Sequence, residues 1–135
     1  MADLSPTAAD VLKATGSTVR TGTAGAAIDA GQVLYTASSE MVLAQADTST
    51  KATAVGIALN DAAEDQPITY LVSGGIDVGC TLTVGQVYVV SDNAAGAIAP
   101  YGDLASEDYV TILGVATTAA NLQVDINVNT VAVPA

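Results

Sequence analysis

The sequence predicts a mainly β protein: a small antiparallel β-sandwich or barrel that is built from two similar β-units and carries an extended N-terminal arm. Short runs rich in β-branched residues alternate with turns, as in sandwiches and small barrels. No segment has the apolar periodicity of a long helix. A strand pattern led by Gly-Gln-Val occurs twice, in residues 30–38 and again in residues 82–92.

The repeat extends beyond these two strands. Val-Gly-Ile-Ala at residues 55–58 follows the first copy, and Leu-Gly-Val-Ala at residues 113–116 follows the second. A further strand, led by Ile68 or by Leu122, begins 37 positions after the glycine of its own copy. We interpret these matches as two β-units of one domain; chance similarity between valine-rich strands is the alternative.

Residues 1–27 are assigned to the arm and residues 28–135 to the β-domain. A Ser-Pro pair can start a short helix within residues 2–14, and a flexible segment is the alternative there. Residues 15–27 are mostly Gly, Thr, Ser and Ala, which cannot build a core. We therefore expect them to be extended and to lie against another surface.

In the β-domain the strands are predicted from patterns of β-branched and apolar residues. In chain order they are residues 28–36, 41–44, 55–59, 67–72, 76–84, 86–90, 109–116 and 122–129, and residues 97–100 are expected to form an edge strand or a connector. Residues 73–75, Ser-Gly-Gly, are expected to end a strand, whereas residues 47–54 and 103–108 can each hold a helical turn. The last predicted strand alternates apolar and polar residues most clearly, which is typical of a half-buried antiparallel strand.

Composition limits the possible partners. Fourteen Asp and Glu oppose three cations, Lys13, Arg20 and Lys51, so the formal net charge is −11. Such a surface repels phosphate and anionic lipid, which excludes nucleic acid and membranes as partners. The chain has no Trp or Phe, and its small side chains bury little area each. We expect it to gain stability by packing against copies of itself or a partner.

The residues for an active site are missing from the sequence. Without histidine there is no Ser-His-Asp triad, histidine metal site or histidine base. Cys80 alternates with apolar residues and is expected to be an inert inward thiol. The adjacent carboxylates at 64–65 and 107–108 are interpreted as solvated loop charges. We expect no enzyme activity, no cofactor and no metal.

Several stretches follow the pattern of small head proteins from tailed-phage structural operons. They are residues 2–9, 22–26, 30–35, 55–60, 66–68, 71–75, 103–106 and 108–116. Nearly end to end, the chain resembles the capsid decoration, or cement, proteins of tailed bacteriophages. The resemblance implies a β-rich virion protein on the outer capsid surface. There, often as a homotrimer, such a protein stabilises contacts between major capsid protein subunits after the head expands.

Charge and expected flexibility select the candidate contacts with the major capsid protein, all in the arm. They are Asp3, Leu4, Pro6, Leu12, Lys13, Val19 and Arg20. An arm that orders on a partner covers much area at an entropic cost, and repeated weak contacts from one oligomer reinforce each other. Two alternatives stay open. One is a structural or receptor-binding module of a phage tail or fibre, and the other is a carbohydrate-active enzyme, which the lack of His and Trp opposes.

Overall fold

The computed structural model describes residues 11–13, 16–37, 39–46, 51–91, 95–101 and 109–132, with side chains up to residue 127. These residues form one curled antiparallel sheet, a half-barrel, and contain no helix. The mainly β fold is therefore confirmed. The strands are β1 (Val11–Lys13), β2 (Thr18–Thr23), β3 (Val33–Ala37), β4 (Glu40–Leu43), β5 (Gly56–Ala58), β6 (Pro67–Val78), β7 (Val87–Val90), β8 (Ile98–Pro100), β9 (Tyr109–Ala116) and β10 (Asn121–Ala132).

The two β-units are visible in the order of the strands. The sheet runs β4-β3-β5-β6-β10-β9-β7-β8, so its two halves have the same connectivity in mirrored order. Each half has a hairpin, β3–β4 or β7–β8, and a third strand that joins the hairpin to the long final strand. The prediction of two similar units in one domain is confirmed.

The strand β6 belongs to both units, which accounts for its length. Its first half pairs with β2, where Arg20 is opposite Tyr70. Its second half pairs with β10, where Gly74 is opposite Val124. Gly74 comes 54 positions after Arg20, and Val124 comes 54 positions after Tyr70, so the two pairings are equivalent. We therefore call β2 to β5 and the first half of β6 the first unit, and the second half of β6 and β7 to β10 the second unit.

The N-terminal strands line one edge of β6. The strands β1 and β2 pair with it in succession, whereas β5 and β10 share its opposite edge. The described part of residues 1–27 is therefore extended, as predicted, and is hydrogen-bonded into the sheet. Residues 11 and 12 are strand rather than helix, because β1 pairs with residues 76–78. Residues 1–10, 14 and 15, including the remainder of the predicted helix, lie outside the described residues.

The first unit closes on itself. Ala24, just after β2, is fully buried and forms a bridge with Met41 of β4. The strands β2, β6, β5, β3 and β4 thereby surround a small core that includes Ile28, Leu34 and Ile68. The N-terminal segment therefore belongs to the folded domain from at least residue 18.

A second, larger core joins the two units. Neighbouring residues of β3 and β5 face different cores: Val33 and Ile57 lie in the larger one, and Leu34 and Ala58 in the smaller one. The larger core also contains Leu113 and other residues of the second unit. Alternation along each strand explains how one sheet separates two cores.

Some strand limits differ from the predictions. The first predicted strand begins at Val33 rather than at residue 28, and Ile28 forms an isolated bridge with Ala62. Residues 73–75 do not end a strand, because β6 passes through them next to a register shift in its pairing with β2. The strand predicted at 76–84 ends at Val78. Of the helical turns predicted at 47–54 and 103–108, residues 47–50 and 103–108 lie outside the described residues, and residues 51–54 hold no helix.

A buried hydroxyl connects the two units. Thr111 of β9 is fully buried, and its Oγ1 donates a hydrogen bond to the carbonyl oxygen of Ala52, which also accepts the N–H of Ala54. Replacing Thr111→Val removes one of the two bonds to this carbonyl. We expect a loss of about 1 kcal/mol in the free energy of unfolding. Urea unfolding measures it, and Thr81→Val, at an exposed site, is the control; equal stability of both variants would contradict the prediction.

Candidate interaction surfaces

The described residues hold no cluster of three or more His, Cys, Asp or Glu side chains placed to bind a metal ion. Asp61 has a structural contact, because its Oδ1 accepts the N–H of Ala30 at 2.8 Å. Cys80 is partly buried and packs against the larger core, in line with an inward thiol. In the part of the chain that is described, no helix has the length and apolarity to cross a membrane.

The structure brings four of the predicted contact residues to one edge of the sheet. Leu12 and Lys13 lie on β1, and Val19 and Arg20 lie on β2, all of them exposed. Leu12 is 70% exposed and Val19 38%. We call β1 and β2 together the N-terminal edge. The other three candidates, in residues 3–6, lie outside the described residues.

A groove of about 510 Å³ lies beside β2. It has apolar walls, and two opposite charges, Arg20 and Asp125, line it as well. Its lining residues are Arg20, Ala54, Val55, Tyr70, Val72, Ser73, Asp125 and Ile126. Three strands contribute to it, since Arg20 comes from β2, Tyr70 from β6 and Asp125 from β10. Such a groove can hold an extended apolar segment and orient it by its polar groups.

A second groove, of about 410 Å³, lies beside β1. Residues 11–13 form one wall, and Leu59, Asn60, Pro67 and Thr69 form the rest. The amide of Asn60 is fixed, because its Oδ1 accepts the N–H of Thr69 at 2.7 Å and its Nδ2 donates to the carbonyl of Asp61 at 2.9 Å. Lys13 therefore stands beside a rigid and partly apolar groove.

The electrostatics of the N-terminal edge differ from those of the rest of the chain. It carries two of the three cations of a protein with net charge −11. Neither Lys13 nor Arg20 makes an ion pair with a described residue. The edge can therefore attract carboxylates of a partner without first breaking internal ion pairs.

A different surface lies on the outside of the second unit. Two of its side chains are strongly exposed: Tyr101 at 51% and Val115 at 40%. Val87 and Ile112 are half-buried and line, together with Tyr101, a depression of about 370 Å³, and Val115 is opposite Val87 in the sheet. We call Val87, Tyr101, Ile112 and Val115 the apolar face; none of them is charged. The sequence does not predict this surface, because alternation on a strand does not tell which apolar side will be covered.

Two residues of the first groove could not be predicted from the sequence either. Tyr70 and Asp125 come from strands that are far from β2 in the chain, and only the pairing of β6 with β2 and β10 brings them to Arg20. Asp125 is exposed, together with Gln123 and Asn127, which agrees with the half-buried strand that the sequence predicts there.

The comparisons with known proteins identify no relative. No protein-family model, no curated protein and no solved structure matches the chain. The partners must therefore be inferred from the chemistry of the surfaces. The N-terminal edge combines cations with grooves, and the apolar face has no charged member.

Proposed function

We propose that this protein is a structural virion protein that binds the outer surface of the expanded capsid of a tailed bacteriophage. There it stabilises the contacts between major capsid protein subunits. The observation that carries the proposal is the N-terminal edge, on a chain of net charge −11: two exposed cations that make no ion pair with a described residue lie beside two partly apolar grooves. The resemblance of the sequence to capsid decoration proteins agrees with it.

The distribution of charge favours the N-terminal edge as the surface that contacts the capsid. The chain beyond residue 51 carries no Lys or Arg, so it repels an acidic partner over most of its length. Lys13 and Arg20 give the N-terminal edge the opposite preference, which orients the protein as it approaches. The acidic remainder then faces solvent and keeps the coated particle soluble.

The backbone of the edge supplies a second attraction. Among the described strands, β1 and β2 pair only with β6, apart from the bridge that follows β2. The outer N–H and C=O groups of β1, and those of β2 ahead of this bridge, can accept an extended segment of the major capsid protein as an added strand. Side chains of that segment would enter the two grooves. Main-chain hydrogen bonds would supply affinity, and the grooves would select the sequence.

A capsid shell contains many equivalent copies of the major capsid protein, which favours an oligomer that binds several of them at once. Each N-terminal edge is small, so one contact is weak. A homotrimer that engages equivalent capsid subunits gains affinity through effective concentration. It also ties those subunits to each other, which is how a coat stabilises an expanded head.

Co-sedimentation with phage heads tests the proposal. We expect the purified protein to pellet saturably with expanded, undecorated heads and not with unexpanded heads. We expect the affinity to fall as salt is raised, because the exposed charges at the contact are screened. Absence of binding to both kinds of head would overturn the proposal and favour a component of the tail or fibre.

A further inference from the structure

We infer that the part of the capsid segment that enters the first groove lies across the strands and carries two opposite charges about four residues apart. Its carboxylate contacts Arg20, its cation contacts Asp125, and an apolar side chain lies between them. In naming the major capsid protein as the source of the segment, the inference rests on the proposed function. The two charges and their spacing follow from the groove alone.

The first groove crosses three neighbouring strands. Arg20 is opposite Tyr70 where β2 pairs with β6, and Asp125 is opposite Ser73 where β10 pairs with the other edge of β6. All four residues line the groove. Directly opposite residues of an antiparallel pair have their side chains on the same face of the sheet. The groove therefore has a cation on one side of β6 and a carboxylate on the other.

The strand pairing sets the distance between these two charges. The strands β2 and β10 are two strand spacings apart, about 10 Å, and the shift from Tyr70 to Ser73 along β6 adds an offset of about 10 Å. The Cα atoms of Arg20 and Asp125 are thus on the order of 14 Å apart, which about four residues of extended chain can span. Every second residue of an extended chain points to the same side, so both charged side chains and the one midway between them can face the groove.

The polar groups of the groove are available to a ligand. Arg20 and Asp125 are exposed, and neither side chain makes an ion pair or a hydrogen bond with a described residue. Tyr70 is only 7% exposed, and its hydroxyl makes no hydrogen bond with a described residue either. A purely acidic segment would be repelled by Asp125, and a purely basic one by Arg20. The groove therefore favours a segment that carries both charges.

The apolar walls between the charges are held in place by the fold. Val55 lines the groove, and its N–H donates to the carbonyl oxygen of Leu34 at 2.8 Å. The ring of Tyr70 packs closely against Gly56, where a Cβ would lie 2.6 Å from Tyr70 Cδ2. Half-buried Ile126 adds a wall from the second unit. Binding therefore has to order the ligand but not the groove, which lowers its entropic cost.

Peptide titrations followed by NMR test the inference on the full chain. The mixed peptide is acetyl-Glu-Thr-Val-Thr-Lys-amide, whose capped ends leave only the two side-chain charges. The control, acetyl-Thr-Val-Glu-Lys-Thr-amide, has the same composition but adjacent charges that point to opposite sides. We expect the mixed peptide to shift the signals of groove residues saturably and to bind at least about tenfold more tightly than the control. Equal affinity for the two peptides would overturn the inference.

A charge reversal at one end of the groove tests the assignment of the charges. Asp125→Lys gives the groove two cations, so we expect the preference to pass from the mixed peptide to acetyl-Glu-Thr-Val-Thr-Glu-amide. The ratio of the two dissociation constants should change on the order of tenfold or more. Glu64→Lys makes the same change in net charge at an exposed site outside the groove, and we expect it to keep the wild-type preference.

Circular dichroism checks the fold of both variants. If Asp125→Lys does not fold, Asp125→Asn is expected to lose the preference for the mixed peptide over the peptide with two glutamates. An unchanged preference in a folded Asp125 variant, or the same switch in Glu64→Lys, would refute the assignment.

Co-sedimentation with expanded heads separates this inference from the proposed function. Binding to heads without a preference among the peptides would leave the proposed function standing and overturn the assignment of the groove. A preference among the peptides without binding to heads would support the charges and spacing assigned to the groove. It would overturn the capsid as the source of the segment.

Discussion

Removal of residues 2–15 is expected to abolish binding to expanded phage heads and to leave the sheet folded. The deletion takes away β1, which among the described strands pairs only with residues 76–78 of β6, and with it Lys13 and one wall of the second groove. It leaves β2 and the buried Ala24, which close the first unit. Co-sedimentation measures the binding, and thermal melting followed by circular dichroism measures the fold. Normal decoration by the truncated protein would contradict the proposed contact.

A deletion that extends to residue 27 is the informative comparison. It also removes β2 and Ala24, and the smaller core loses the strand that closes it. We expect this longer deletion to unfold the first unit. The shorter deletion is then expected to lose binding and keep its fold, whereas the longer deletion is expected to lose both. A longer deletion that melts like the full chain would show that β2 does not close the core.

Point variants test the same contact in the full chain. Lys13→Gln with Arg20→Gln removes both exposed cations of the N-terminal edge, and we expect affinity for expanded heads to fall on the order of tenfold or more. The control is Thr81→Asp with Ala120→Asp, which makes the same change in net charge at exposed sites elsewhere. Equal weakening by both pairs would mean that net charge matters and the edge does not.

Gly114→Ala is expected to be the most destabilising single substitution of a small residue. A Cβ on Gly114 would overlap the carbonyl oxygen of Gln123 and lie 2.8 Å from its carbonyl carbon. Both atoms belong to the backbone of β10, which cannot turn away as a side chain can. Overpacking of this kind costs about 3 kcal/mol, which lowers the melting temperature by on the order of 10 °C.

Gly22→Ala is the control for this substitution. A Cβ on Gly22 would make ordinary contacts, 3.4 Å from Met41 Cγ and 3.7 Å from Tyr70 Cε1. Because alanine loses less backbone entropy than glycine on folding, we expect this variant to be as stable as wild type or slightly more so. Differential scanning calorimetry compares the two. If Gly114→Ala melted within a degree or so of Gly22→Ala, β9 and β10 would not approach as closely as described.

The repeat could be predicted because its signals are local. Gly31 and Gly85 have φ of +94° and +84°, a conformation that favours glycine. The turn before the strand therefore requires glycine at the same position in both copies. The turn constraint acts within a few residues and can be read directly. The glycine shared by Val-Gly-Ile-Ala and Leu-Gly-Val-Ala has a different reason, because the backbone of a neighbouring strand lies close to it, as the position of Gly114 against β10 illustrates.

The part played by the N-terminal segment could not be predicted in the same way. Residues 18–23 have no alternation and little apolar area, and their order comes from pairing with residues 67–73 of β6. Four of the candidate contact residues could be named from charge and composition, but their common edge depends on that pairing. Residues 73–75 show the converse, since a local signal for a break gave way to pairing on both sides of the strand.

From the sequence by itself came the all-β class, the two units, the acidic surface and the cations near the N-terminus. These depend on side-chain period, turn chemistry and charge, which are properties of short segments. Only the tertiary structure decided that β2 closes the first unit and that Val33 is buried while its counterpart on β7 borders an exposed apolar face. Two strands with the same pattern have the same two faces, and which face loses its water depends on what the rest of the chain places over it.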